Sequence, residues 1–424
     1  MSSSRPIDLA RFPDRAPGQE IVITGMGAVC ALGSTVPEIW ENLLSGKSGV
    51  GPVTGFDAGA FGLAAQVKNL DEIKSDIPPQ LAKTMGKHLS LLLKSTDEAY
   101  RHAVLAGAGF APGDVGFFTG MGMVDYHVED LLPAVLKSLS TEGELDYDKF
   151  FSRGYQEIYP LWSLGMLNNV AFCQAAIHFG IRGENLVLAP HGDSGIMALA
   201  EAVNALREGR ALVALAGGVS EEVSAPSLAR AALNGLSNES VLGDSVGLPL
   251  GEGSAMLVCE PLSPARKRGI EPLAAICGFG FSCARESAGS SPHCEGLTAS
   301  MQSALSQAGL GPEQIDVVML GSWKHREESR AIDKVFCGEE GTGPILVSAI
   351  PALGELLAAG PILNAIIGIR ILNSGTVPEA MSVKRAGDND FSRGGMDLDA
   401  ARVLINTVSY EGQCASFVIK KCAC

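Results

Sequence analysis

Ile21-Val-Ile-Thr-Gly-Met-Gly-Ala-Val29 is the stretch on which the reading of this chain turns. A short β-branched run, residues 21–24, gives way to Gly25, Gly27 and Gly33, the order in which a strand runs into a loop. Similar runs recur at 115–118, 186–188, 212–216 and 255–258. Helical patterns lie between them. In residues 196–206, Ile196, Met197, Leu199, Ala200, Val203 and Leu206 keep a 3.6-residue rhythm. Strands alternating with helices predict an α/β fold of parallel βαβ units held between helical layers. The second half repeats the plan, with strands expected at 274–277, 315–320 and 345–348 and a closing hairpin of 403–408 and 415–419 around residues 409–414. Residues 356–372 are apolar on nearly every face, which predicts a fully buried helix. The polar stretch 1–19 reads as a loose tail. The composition shift near residues 261–269, with Arg266, Lys267 and Arg268, reads as the link where a first half, 20–262, passes into a second, 263–424, and the charged stretch 136–155 reads as a surface insertion.

Composition excludes several classes. Of 424 residues, 46% are hydrophobic and 19% charged, the mixture of a globular protein. With 32 Lys+Arg against 47 Asp+Glu, the net charge of −15 opposes non-specific binding to nucleic acid or to an anionic membrane. The ten cysteines show no CxxC spacing and read as reduced thiols of a cytoplasmic protein. The seven histidines are scattered, so neither a metal site nor a cofactor is expected. No membrane span is expected either, since the most apolar run, 362–372, carries Asn364 and Arg370.

Read together, Ile21–Val29, Leu44-Ser-Gly-Lys-Ser-Gly49, the run 211–221 (ALVALAGGVSE), Gly251-Glu-Gly253 and the stretches 347–365 and 406–419 resemble the elongating (KAS I/II-like) β-ketoacyl-acyl-carrier-protein synthases, in order, over about residues 20 to 420. The resemblance implies the thiolase-like fold: two similar βαβαβ-type halves in an αβαβα layered arrangement, assembled as a dimer. It also implies a Cys nucleophile at a strand–helix turn and two catalytic His.

None of these stands in the matching positions. The nucleophile position is Gly192, which cannot be acylated, followed by Asp193 and Ser194, residue types that cap helices. The first His position falls on Gly321, or on Leu320 with a one-residue slip, after a loop about four residues short. Nearby His325 stands among Lys324, Arg326, Glu327 and Glu328 and reads as a solvated loop residue. The second His position is Glu355 and the preceding Lys position is Ile350; Glu355 reads as a charge complementing a helix N-terminus. In the glycine-rich loop, the gating Phe maps to Tyr410 and two glycines to Ser409 and Glu411.

Other motifs are weaker. The GDSG string at 192–195 lacks a hydrolase elbow, Gly25-Met-Gly27 is not a dinucleotide fingerprint, and the cysteines, Cys173 included, read as inert packing. A ketosynthase that has lost its Cys is similar to the chain length factors (KSβ) of type II polyketide synthases, although their usual replacement is Gln. The resemblance implies a heterodimer with an active ketosynthase (KSα), a shared acyl tunnel, and an acyl carrier protein that docks mainly on the partner. It implies Met123, in Gly120-Met-Gly-Met123, as a tunnel gate, and Leu161 and Trp162 as residues reaching toward the partner's site. A core methionine and plain interface packing are the competing readings of Met123 and Trp162. Two other functions stay open: a malonyl-thioester decarboxylase on the same scaffold, and a homodimeric scaffold or binding protein.

Overall fold

A computed structural model of the chain describes residues 19–59, 62–68, 86–126, 128–160, 162–189, 192–234, 249–283, 292–321, 325–336, 343–387 and 391–422. Ten strands carry the architecture: β1 (Ile21–Cys30), β2 (Val115–Met121), β3 (Asn185–Leu188), β4 (Val213–Val219), β5 (Gly253–Pro261), β6 (Ala274–Cys283), β7 (Val317–Leu320), β8 (Ile345–Ser348), β9 (Arg402–Val408) and β10 (Gln413–Lys420). Six helices matter for the site: α1 (Lys87–His102), α2 (Asn168–His178), α3 (Ser194–Arg207), α4 (Pro292–Ala308), α5 (His325–Phe336) and α6 (Gly360–Ser374).

The halves have one topology. In the first, the strands run β1-β5-β4-β2-β3; in the second, β6-β10-β9-β7-β8. The first two pairings of each set are antiparallel and the last two parallel. The sets meet where Ile21–Ile23 pair with Ala274–Ile276. The chain is thus a thiolase-like α/β protein of two matching halves.

Alternation along the strands explains the layers. On β5, Ala255, Leu257 and Cys259 face a central core, while Met256 and Val258 face an outer one. On β10, Ala415, Phe417 and Ile419 point inward, and Cys414 and Val418 outward. A period of two on strands covered on both faces gives just this split. The central core is filled by α3 and α6, the outer cores by α1 and α2 on one side and α4 and α5 on the other. The apolar segment Leu357–Ser374, long enough to cross a bilayer, is 78% buried here and serves as a core helix.

Three expectations change. Gly25 and Gly27 do not begin a loop: β1 continues to Cys30. A Cβ on Gly25 would stand 2.6 Å from the Ala99 carbonyl and one on Gly27 2.2 Å from that of Ser95, so these glycines let α1 lie flat on the strand. The buried helix begins at Gly360 rather than at residue 356, because Leu357 takes a positive φ of 46° and residues Leu357–Ala359 form a separate 3-10 turn. The strand expected from residue 315 begins at Val317, after the 3-10 turn Pro312–Gln314.

Candidate functional site

The turn into α3 is set by close packing. A Cβ on Gly195 would stand 2.2 Å from the Ala358 carbonyl, so the first turn of α3 presses on the Leu357–Ala359 turn before α6. The end of β9 closes the third side: Thr407 Oγ1 donates to the Gly192 carbonyl at 3.4 Å. Asp193 occupies the N-cap position, but in a helical conformation and with no side-chain cap bond, so the capping expected of it is not made. Pro190 and His191 lie outside the described residues.

Gly321, Ile350 and Glu355 line one cavity with Leu353, Asn364 and Thr407. Its volume is about 20 Å³, room for a single water. Thr407 joins this cavity to Gly192, so Gly192, Gly321, Ile350 and Glu355 all surround the end of β9. Among the described residues no imidazole lines the cavity and no three metal-ligating side chains converge anywhere.

Glu355 is only 7% exposed. It lies ahead of α6, and its Oε1 accepts from the Leu357 N–H at 2.9 Å. Its Oε2 is buried with no hydrogen-bond partner among the described residues. Burial, with a smaller contribution from nearby Glu328, pushes its pKa from the usual 4.5 to about 7, against the opposing Leu357 bond. A carboxyl raised on folding contributes stability that is full below the ordinary carboxylate range and lost as pH rises through about 7. Glu355→Gln is therefore expected to flatten the fall in stability between about pH 5 and about pH 8 and to exceed the parent by about 2–3 kcal/mol at the upper end. Urea unfolding across that range measures it; an unchanged slope would refute the assignment.

Glu328 adds a second carboxylate. It is fully buried on α5, where its Oε1 accepts from the Gly321 N–H at 3.3 Å and from Asn406 Nδ2 at 3.1 Å. His325 opens α5 rather than sitting in a loop, and its side chain lies outside the described residues. Three carboxylates, Asp193, Glu328 and Glu355, are thus buried around this site.

Tyr410, at the tip of the β9–β10 hairpin, packs against the buried cluster that holds Ile350, Leu250, Leu228 and Val223. Burial and then Glu355 and Glu221 push its hydroxyl pKa up, so it stays protonated. Ser409 is buried and closes the turn by donating its N–H to Gln413 O at 2.8 Å. Met123 is 40% exposed just beyond β2, which removes the core reading. Trp162 is half-buried, edge-on to Tyr126 with ring centroids 6.3 Å apart; Leu161 lies outside the described residues.

Not all the cysteines are packing. Burial pushes the Cys30 and Cys414 thiols up to about 12 and Cys277 to about 11, which makes them inert, but Cys173 and Cys283 are exposed. Of the basic run 266–268, Arg268 is committed: it pairs with Glu260 at 2.6 Å and lies over the Phe110 ring.

Residues 18–265 match the β-ketoacyl synthase N-terminal domain family and 273–384 its C-terminal domain family. The chain belongs to the β-ketoacyl synthases. A 3-oxoacyl-[acyl-carrier-protein] synthase 2 of Coxiella burnetii is 28% identical over 399 residues, covering 90% of this chain and 91% of the relative. One from Synechocystis is 25% identical, covering 95% and 98%. Among solved structures, the ishigamide ketosynthase/chain length factor superposes with a TM-score of 0.79 at 20% identity, covering 96% of this chain and 100% of that one. A β-ketoacyl synthase from Burkholderia phymatum gives 0.78 at 22% over the same shares. A type II polyketide synthase acyl-carrier protein in complex with its ketosynthase gives 0.76 at 20%, again over 96% and 100%. Gly192, at the turn into α3, has no side chain to acylate, and the buried carboxylates beside it disfavour an anionic ligand.

Proposed function

We propose that this β-ketoacyl synthase is the non-catalytic, chain-length-setting subunit of a heterodimeric polyketide ketosynthase, of the chain length factor kind. The observation that supports this reading is the site around β9, where Gly192, Gly321 and Glu355, none of them a Cys or a His, meet at one turn and cavity. The partner ketosynthase supplies the nucleophile and the main docking surface for the acyl carrier protein, which suits a subunit at −15. The fold likeness to the ishigamide ketosynthase/chain length factor agrees with the reading.

Surface chemistry supports a partner. On the helix Val128–Leu136, Val128, Leu132 and Leu136 are 50, 46 and 59% exposed and share one face at four-residue spacing. The chain continues through exposed Tyr147, Phe151 and Tyr159 into α2, which packs on β3. That strand ends the sheet with one side unpaired among the described residues. An apolar, aromatic-rich strip beside an open sheet edge is suited to a large permanent interface. In such a heterodimer Met123 and Tyr410 gate the tunnel, and Leu161 and Trp162 reach toward the partner's site.

Co-expression with a type II ketosynthase is expected to yield a 1:1 complex that makes polyketide of one dominant length, with Met123→Ala lengthening the product and Met123→Trp shortening it. A soluble homodimer that never captures a ketosynthase would refute the pairing, and unchanged product lengths would remove Met123 as the gate.

A further inference from the structure

The segment that carries Met123 is fastened by a buried ion cluster drawn from two distant parts of the chain. Beyond the end of β2, the Gly122 N–H donates to Val219 O at 2.9 Å, and Asn168 Nδ2 donates to Gly122 O at 3.3 Å. The Met123 N–H donates to Glu221 Oε1 at 3.3 Å. Glu221 Oε2 in turn accepts from Arg230 Nη2 at 2.7 Å. Arg230 also grips Asp125 with both nitrogens, Nη1 to Oδ1 at 3.1 Å and Nη2 to Oδ2 at 3.0 Å. Ser224, the N-cap of the helix Ala225–Leu233 on which Arg230 sits, donates its hydroxyl to the same Asp125 Oδ2 at 3.1 Å.

One guanidinium therefore holds the backbone on both sides of residue 124: at Met123 through Glu221 and at Asp125 directly. The side chains of Glu221, Asp125 and Arg230 are 8, 12 and 24% exposed, so water screens them weakly. A fork that satisfies two carboxylates at once is what Arg can do and Lys can do only in part. Without the cation, two buried carboxylates face each other on the segments that must stay together.

We propose that Arg230 is a positioning residue that fixes where Met123 stands and thereby which chain length the heterodimer releases. This rests on Met123 acting as the gate. The fixed backbone leaves the Met123 side chain as the variable element; methionine has three free torsions, so its reach is set by where its Cα is held.

The test uses the heterodimer with ketosynthase and two readouts: the Met123 methyl resonance in protein labelled with [13C]methyl-methionine, and the product length distribution. Arg230→Met is expected to move or broaden the Met123 signal and to replace the single dominant product by two or more lengths. Arg230→Lys is expected to fall between it and the parent. Should Arg230→Met fail to fold, the neutral combination Asp125→Asn, Glu221→Gln, Arg230→Met removes the uncompensated charge and is expected to show the same two changes. An unmoved methyl resonance, or a moved one with an unchanged product profile, overturns the proposal. Met123→Ala separates the two levels. If it alters product length while the Arg230 variants do not, the gate stands and the positioning role falls. If it leaves product length unchanged, the gate itself is wrong, and this proposal falls with it.

Discussion

Gly321→Ala is expected to leave little or no folded protein, and Gly321→His none. A Cβ at this position would stand 1.9 Å from the Asn406 carbonyl oxygen on β9, and 2.7 Å from its carbon. That backbone cannot yield, because β9 is hydrogen-bonded between β10 and β7 in the middle of the sheet. The Asn406 side chain is also tied to Glu328 and Ser416. Separating the strands would cost of the order of 4–5 kcal/mol or more, a large share of the ~5–15 kcal/mol that holds a protein folded. Gly192 behaves differently. Its Cβ would be 3.2 Å from the Val408 carbonyl and 3.8 Å from the Leu357 side chain, a tight fit that a shift of a few tenths of an ångström relieves. Gly192→Ala is expected to change stability by no more than about 1 kcal/mol. Soluble yield and urea unfolding of the two variants measure the contrast; a Gly321→Ala protein as stable as the parent would show that the strand spacing here is wrong.

The second large effect is on activity. Replacing the partner ketosynthase's nucleophilic cysteine is expected to abolish polyketide formation by the heterodimer, whereas Gly192→Cys in this chain is expected to add no condensation, alone or paired. A thiol at residue 192 would enter the field that already pushes nearby Cys414 up to about 12, through burial and then Asp193 and Glu328. The N-terminus of α3 favours a thiolate by about 1 kcal/mol, too little to reverse this. Adding Glu355→His does not complete the site, since the other imidazole position, Gly321, admits no side chain. Product assays with and without each partner measure this; turnover by the Gly192→Cys chain on its own would refute it.

The fold was readable because its signal is local. Residues 345–348 form a continuous apolar run and β8 occupies those residues. The 3.6-residue rhythm of 196–206 lies within α3. Boundaries failed where a tertiary contact decides the conformation. Gly25 and Gly27 read as a loop because the helix that needs them lies about 70 residues further along. The 3-10 turn at Leu357 depends on a bond to Glu355 that sequence does not reveal. At the site, the place of Gly192 just ahead of a helix was legible from the strand–turn–helix pattern. The burial of Glu328 was not, because α5 begins with His-Arg-Glu-Glu, a charged run that looks solvated. The Arg230 cluster joins residues 98 to 105 positions apart, which no short-range pattern announces.

The most direct test of the account is to load the heterodimer with acyl chains from an acyl carrier protein, stop it during turnover, and map the adducts by peptide mass spectrometry. Acyl groups are expected on the partner's cysteine and absent from the peptide spanning the turn into α3, with any label on exposed Cys173 or Cys283 independent of turnover. A turnover-dependent acyl group on any residue of this chain would contradict it.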